Sequence, residues 1–127
     1  MAMSVLVVDD SAVSRKIVIR SLPPEWDVAV TQASNGSEAL AALGLKHHAV
    51  VLLDLNMPVM DGYEFLEALT GAPQGDAPHA RPIVIVLSGD IQPQAQARVR
   101  ALGANAFVKK PVATTSIRSA LQECGVL

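Results

Sequence analysis

Cysteine, aromatic residues and concentrated positive charge are all scarce in this sequence. The single cysteine among 127 residues excludes a disulfide within the chain and is typical of a reducing compartment. No apolar run approaches the roughly 20 residues that cross a membrane, and no basic segment followed by an apolar one opens the chain. We therefore expect a soluble cytoplasmic domain without a membrane partner.

The scarcity of aromatic residues limits which side chains can fill the core. The lack of clustered basic residues limits which partners the chain can bind. One Trp, one Tyr and two Phe stand in a chain that is 50% hydrophobic, so the core must be mostly aliphatic. Ten scattered Lys and Arg are outnumbered by twelve Asp and Glu. Contacts with nucleic-acid phosphates need concentrated Lys and Arg, so we expect no nucleic-acid partner.

Five short aliphatic runs are present, at residues 4–8, 27–31, 49–53, 82–87 and 106–108. Their β-branched content and short length favour strands, and three are apolar throughout, as parallel strands buried on both faces are. The segments between them carry helix signals, including capping boxes at Asn35–Glu38 and Asp61–Glu64 and the apolar pair Val13–Ile17. Five βα units predict an α/β fold, a doubly wound parallel sheet of five strands with helices on both faces.

The whole chain, 1–127, is expected to be one domain, because no composition shift or linker divides it. Met1 and Ala2 are interpreted as a cloning remnant, since Met3 offers a second start. The segment from Thr70 to Pro82 contains several Pro and Gly residues and predicts a surface loop.

Distinctive polar residues follow four of the five runs, whereas the second run ends in Thr31 and Gln32, which are less distinctive. Ligands bind beyond the carboxyl ends of the strands in such a sheet, so these residues are candidates for one site. They are Asp9 and Asp10 after the first run, Asp54 after the third, Ser88 after the fourth, and Lys109 with Lys110 after the fifth.

This set of side chains indicates phosphoryl chemistry. Crowded carboxylates repel one another, and a hard divalent cation such as Mg²⁺, with Mn²⁺ as an alternative, relieves that repulsion. A lysine and a hydroxyl beside the cation can neutralise and hydrogen-bond phosphoryl oxygens. A carboxylate can also act as the nucleophile and form an aspartyl phosphate. The cluster therefore predicts a phosphorylation site.

Four blocks resemble the signature of the response-regulator receiver domain of two-component signalling, in its single-domain, chemotaxis-regulator form. They are VVDDS (7–11), LLDLNMPVMDG (52–62), IVLSGD (85–90) and GANAFVKKP (103–111). The resemblance covers essentially the whole chain in the right order. It implies a flavodoxin-like sheet with strand order 2-1-3-4-5.

The resemblance implies a phosphoacceptor and a set of metal ligands. Asp54 matches the phosphoacceptor, which is also a metal ligand. Asp10 matches the second direct ligand, and Asp9 the acid that binds the metal through water. The remaining protein ligand is the main-chain carbonyl of Asn56.

The resemblance also implies residues that bind the phosphoryl group and transmit its arrival. Ser88 matches the switch hydroxyl. Lys110 rather than Lys109 matches the family lysine, because it precedes Pro111, and the bond between them is implied to be cis. Phe107 matches the aromatic switch, which is commonly Tyr in the family.

The implied function is a phosphorylation-activated switch, which phosphorylates and dephosphorylates itself but is not an enzyme in the usual sense. A histidine kinase or histidine phosphotransfer protein would donate the phosphoryl group to Asp54. The surface of the fourth helix, fifth strand and fifth helix would then control a downstream protein or a covalently linked output domain.

Other functions stay open at this point. The chain is either a complete regulator, a phosphorelay intermediate, or the receiver of a larger regulator or hybrid kinase. An aspartate-nucleophile phosphatase of the haloacid-dehalogenase kind needs a second acid two residues after Asp54, where this chain has Asn56. A dinucleotide-binding module lacks the motif G-x-G-x-x-G after the first strand, and the intact acids argue against a pseudo-receiver that only binds partners.

Several polar residues outside this set fit structural roles. Asp61 is expected to cap a helix, because Glu64 follows it by three residues. Lys109 is expected to be solvated. Three histidines lack other metal ligands nearby in the sequence and are expected at the surface, namely His47, His48 and His79.

Overall fold

A computed structural model describes residues 2–55, 61–71, 82–89 and 92–127 of the chain. In this part of the chain, strands and helices alternate throughout. The strands are β1 (Met3–Val8), β2 (Val28–Ala33), β3 (Val50–Asp54), β4 (Ile83–Ser88) and β5 (Ala106–Lys109). The helices are α1 (Ala12–Arg20), α2 (Gly36–Leu45), α3 (Gly62–Gly71), α4 (Pro93–Ala101) and α5 (Thr114–Glu123). Within the described ranges, no helix is long and apolar enough to cross a membrane.

The strands form one parallel sheet in the order β2-β1-β3-β4-β5. The predicted α/β class, the doubly wound sheet and its strand order are all confirmed. The register places Val8 opposite Leu53, and Leu53 opposite Val86. The carboxyl ends of β1, β3 and β4 therefore meet at one edge of the sheet. The candidate site residues Asp9, Asp10, Asp54 and Ser88 stand at or just after these strand ends.

Helices cover both faces of the sheet, which explains why the buried positions of β1, β3 and β4 are apolar up to the ends of the strands. Alternate side chains of a strand point to opposite faces, and the core is accordingly divided into two clusters. Val5 and Val7 pack in the cluster with Val18, Trp26 and residues of α5. Leu6 and Val8 pack on the other side, in a cluster that includes residues of α2, α3 and α4: Ala39, Phe65, Leu66 and Val99.

The apolar pair Val13 and Ile17 predicted a helix, and α1 is present there, but this pair lies on its outer face. Val13 and Ile17 are 68% and 50% exposed, whereas Val18 is buried. The i,i+4 spacing identifies two residues on one face of a helix but not the face that meets the sheet. Here the buried contacts of α1 and the turn after it come from Val18 and Leu22.

One histidine that was predicted to lie at the surface is buried. His48 is buried, whereas His47 is exposed. The ring Nδ1 of His48 lies 3.1 Å from the main-chain oxygen of Lys46, just before β3. His79 lies outside the described residues.

Candidate functional site

Three acidic side chains meet where β1 and β3 end. Asp9 and Asp10 follow β1, and Asp54 is the last residue of β3. One carboxylate oxygen from each can be chosen so that all three lie within 4.8 Å of one another. Asp9 and Asp54 are buried, and Asp10 is exposed. The sheet therefore brings together acids that are 45 residues apart in sequence, because parallel strands end at the same edge.

Lys110 forms ion pairs with two of these acids. Its ammonium Nζ lies 3.0 Å from Oδ2 of Asp9 and 3.2 Å from Oδ1 of Asp54. It also lies 3.4 Å from the hydroxyl oxygen of Ser14 in α1. Lys109, one residue earlier, is exposed, so the lysine at the acids is the one that precedes Pro111. That peptide bond is cis, as the resemblance implies.

The pairing of Asp9 with Lys110 keeps both groups charged. Burial by itself would raise the pKa of Asp9, but the main-chain N–H of Ser11 and the ammonium of Lys110 outweigh it, so the pKa lies below its usual range. Burial by itself would lower the pKa of Lys110. The hydrogen bond to Asp9 and the negative charge of Asp54 outweigh it, and the pKa is raised. Lys110 and Asp9 therefore both remain charged at neutral pH, as an ammonium beside a carboxylate.

The proposed switch residues Ser88 and Phe107 lie on β4 and β5, the two strands that follow β3 in the sheet. Ser88 is the buried last residue of β4, and its main-chain oxygen accepts a hydrogen bond of 2.8 Å from the N–H of Lys110. Asp54 pairs with Leu87, the residue before Ser88. Phe107 is half-buried and packs against the cluster that includes residues of α2, α3 and α4.

The donor set fits a hard divalent cation. Mg²⁺ binds oxygen at about 2.0–2.1 Å in octahedral geometry, so direct ligands lie at most about 4.2 Å apart. A carboxylate cluster within 4.8 Å needs only a small adjustment, or one bridging water, to reach that spacing. Asp9, Asp10 and Asp54 would hold the ion. The fourth predicted ligand, the main-chain carbonyl of Asn56, lies outside the described residues.

The capping prediction for Asp61 is confirmed at the start of α3. Oδ1 of Asp61 accepts a hydrogen bond of 2.9 Å from the N–H of Glu64, and the N–H of Asp61 lies 3.3 Å from Oε1 of Glu64. These reciprocal contacts form a capping box. Asp61 therefore caps α3, whereas the acids of the site lie at the ends of β1 and β3.

Two residues at the site were missed by the sequence interpretation. Gly62 packs so closely that a Cβ there would lie 2.8 Å from the main-chain oxygen of Asp54 and 2.7 Å from Cα of Leu55. Arg15 donates from Nη1 to the main-chain oxygen of Asp9 at 2.7 Å. Arg15 stands one helical turn after the N-cap Ser11, and this spacing was the available signal that its side chain lies near the β1–α1 loop.

Comparisons with known proteins agree with this architecture. The family described as the response regulator receiver domain matches residues 5–122. A probable chemotaxis protein CheY of Rhizobium etli is 31% identical over 121 residues, which cover 93% of this chain and 88% of that protein. A protein-glutamate methylesterase/protein-glutamine glutaminase of Moorella thermoacetica is 41% identical over 117 residues, covering 89% of this chain. The match covers only 26% of that esterase's length.

A solved structure gives the same result in three dimensions. The chemotaxis response regulator CheY4 of Vibrio cholerae superimposes with a TM-score of 0.81 over the full length of both chains, at 30% identity. The family match covers most of this chain, and the parallel sheet has the expected strand order. The chain belongs to the response regulator receiver domain family.

Proposed function

We propose that this chain is a phosphorylation-controlled signalling switch of the cytoplasm, with Asp54 as its phosphoacceptor. One observation carries the proposal: a single ammonium, that of Lys110, lies within 3.2 Å of both Asp9 and Asp54 in a cluster of three carboxylates. Such a cluster suits a divalent cation and a phosphoryl group, because each neutralises part of the other's charge. Residues 1–127 act as one receiver unit.

The proposed reaction is an in-line transfer to a carboxylate oxygen. An oxygen of Asp54 attacks the phosphorus of a phosphohistidine, the new O–P bond forms, and the P–N bond to the imidazole breaks. The imidazole retains the electron pair of that bond and takes up a proton. Asp9, Asp10 and Asp54 would hold Mg²⁺, which neutralises charge on the phosphoryl oxygens when it is bound.

The residues around Asp54 have distinct proposed roles. Lys110 moves its ammonium from the carboxylates toward the new phosphoryl oxygens, because the charge there increases. Ser88 donates its hydroxyl to the same oxygens, and Phe107 follows it inward. The surface of α4, β5 and α5 thereby changes its affinity for a partner.

The proposed partners follow from this chemistry. A histidine kinase or a histidine phosphotransfer protein supplies the phosphoryl group. The output is a downstream protein or a covalently linked domain, since the relatives of this chain include both a CheY and an esterase of which the match covers 26%. The receiver itself catalyses only its own phosphorylation and dephosphorylation.

The proposal is tested with radiolabelled acetyl phosphate. We expect Mg²⁺-dependent labelling that is lost when EDTA removes the metal. Because an acyl phosphate reacts with hydroxylamine and a serine or threonine phosphate does not, hydroxylamine should release the label. Labelling that persists in EDTA, or that resists hydroxylamine, would contradict an aspartyl phosphate.

Replacing Lys110 with methionine is expected to lower the free energy of unfolding by about 2 kcal/mol in the absence of divalent cations. Breaking a buried ion pair costs about 3–5 kcal/mol, and the value is reduced here because the Lys110 side chain is 26% exposed. The variant leaves the carboxylates of Asp9 and Asp54 facing each other without a cation. Mg²⁺ should therefore restore more stability to the variant than it adds to the natural chain.

The measurement is urea unfolding with and without MgCl₂. Lys109→Met is the matched control, because it removes the same charge from the adjacent, exposed position. Its unfolding free energy should stay within about 0.5 kcal/mol of the natural chain's. Equal destabilisation by the two substitutions would refute the role of Lys110 as the counter-ion of the acids.

A further inference from the structure

We propose that Arg15 is a positioning residue that orients the peptide between Asp9 and Asp10, and thereby the carboxylate of Asp10, for the divalent cation. The inference rests on the proposed metal site and adds a residue to it. The proposed role of Arg15 does not involve direct contact with the carboxylates of the metal site. It acts through the main chain of the β1–α1 loop.

The guanidinium of Arg15 donates two hydrogen bonds to different parts of the chain. Nη1 donates to the main-chain oxygen of Asp9 at 2.7 Å, and Nε donates to Oε1 of Gln32 at 2.8 Å. Gln32 belongs to β2, where it pairs with Val7 of β1. One side chain of α1 therefore connects the end of β1 to the neighbouring strand.

Each of the four polar atoms of Asp9 has a hydrogen-bond partner. Its N–H donates to the main-chain oxygen of Ala33 at 3.1 Å, and Oδ1 accepts from the N–H of Ser11 at 3.0 Å. Oδ2 accepts from Lys110, and the main-chain oxygen accepts from Arg15. The hydrogen bond from Arg15 thus satisfies the main-chain oxygen of Asp9, the residue that follows the end of β1.

The bond from Arg15 matters for Asp10 because of peptide geometry. The carbonyl of Asp9 lies in the same rigid plane as the nitrogen of Asp10, and the Cα of Asp10 lies in that plane too. Holding the carbonyl oxygen therefore sets the point from which the Asp10 side chain departs. Asp10 lies two residues after the end of β1 and is exposed, so the sheet and the core do not orient its carboxylate.

Arginine is suited to this position by its shape. The guanidinium presents donors in a rigid planar fork, whereas lysine has a single ammonium on a flexible stem. The positive charge of Arg15 by itself disfavours a nearby cation, so an effect of its charge and an effect of its geometry have opposite signs. Arg15→Lys keeps the charge and loses the fork, and this substitution isolates the geometric effect.

The test is the Mg²⁺ dissociation constant of the full chain, measured by isothermal titration calorimetry. We expect Arg15→Lys to weaken Mg²⁺ binding about fivefold to tenfold, a tenfold change corresponding to about 1.4 kcal/mol. Gln32→Ala, an exposed substitution that removes one of the two contacts, should weaken it about twofold to threefold, as the loss of one modest hydrogen bond does. Arg20→Lys, on an exposed residue at the end of α1, is the matched control and should leave binding unchanged.

A second measurement reads the proposed mechanism directly. The amide of Ser11, which donates to Asp9 Oδ1, should exchange its hydrogen faster in Arg15→Lys than in the natural chain, because the loop is held at fewer points. The amide of Val86 in the central strand β4 should keep its exchange rate. Unchanged exchange at Ser11 would overturn the positioning role.

The outcomes separate this inference from the proposed function. If Asp10→Asn weakens Mg²⁺ binding while Arg15→Lys binds it as tightly as the natural chain or more tightly, the positioning role is wrong and the metal site stands. If Asp10→Asn has no effect on Mg²⁺ binding, the proposed metal site itself is wrong, and the role of Arg15 toward it is wrong as well.

Discussion

Replacing Asp54 with asparagine is expected to abolish Mg²⁺-dependent labelling of the chain by acetyl phosphate. The carboxylate oxygen of Asp54 is the proposed nucleophile, and the amide oxygen of asparagine carries no negative charge with which to attack phosphorus. Loss of a covalent nucleophile lowers a reaction by several orders of magnitude, so labelling should fall by about a hundredfold or more. The measurement is incorporation of radiolabel per mole of chain at fixed Mg²⁺.

The control for this substitution is Asp61→Asn. It makes the same chemical change in a nearby acid that caps α3 instead of lining the site, and asparagine is as good an N-cap as aspartate. Asp61→Asn should be labelled as well as the natural chain, and both variants should give native circular dichroism. Undiminished labelling of Asp54→Asn would exclude Asp54 as the phosphoacceptor.

Replacing Gly62 with alanine is expected to lower the free energy of unfolding by about 3 kcal/mol. The added Cβ would lie 2.7 Å from Cα of Leu55 and 2.8 Å from the main-chain oxygen of Asp54. Both are backbone atoms and cannot turn away as the end of a side chain can, so α3 or the end of β3 must shift. Overpacking of this kind costs about 1–3 kcal/mol and occasionally more. Urea unfolding of the two chains measures the difference.

The matched control is Gly44→Ala. Gly44 lies inside α2, and a Cβ there would meet no atom within 4 Å. Alanine is favoured over glycine in a helix interior by about 0.5–1 kcal/mol, so this variant should be more stable than the natural chain. Equal stability of Gly62→Ala and the natural chain would show that the contact with Asp54 is not a tight one. The shift at Asp54 should also reduce labelling of Gly62→Ala, measured under conditions where it is folded.

The sequence was sufficient to predict the sheet because the pattern for buried parallel strands is simple. Val50 to Leu53 are each buried, and every position of that run is apolar because helices cover both faces. The same run ends in Asp54, so its position at the sheet edge follows from covalent adjacency. Predicted strand ends differ from the observed ones by only one or two residues, as at β2, which was predicted at 27–31 and spans Val28–Ala33.

The sequence was a poorer guide to the direction in which each helical residue points. A glycine near the end of a helical pattern is a common stop signal, yet α2 passes through Gly44 and continues to Leu45. Glycine is tolerated inside a helix at a modest cost, and nothing crowds it here. Val13 and Ile17 lie on the outer face of α1 for a related reason: a helix buries whichever face meets the sheet, and spacing alone does not identify that face.

Residue type and strand adjacency are local properties, so the residues near the strand ends and the chemistry they offer could be predicted from the sequence. Which of these residues touch one another follows from the tertiary structure. Lys110 contacts Asp9 across 101 positions of sequence, and Arg15 and Gly62 reach the main chain of Asp9 and Asp54 through helices that follow different strands. Such contacts depend on strand register, helix position and main-chain direction together, and all three are set by the packing of the whole chain.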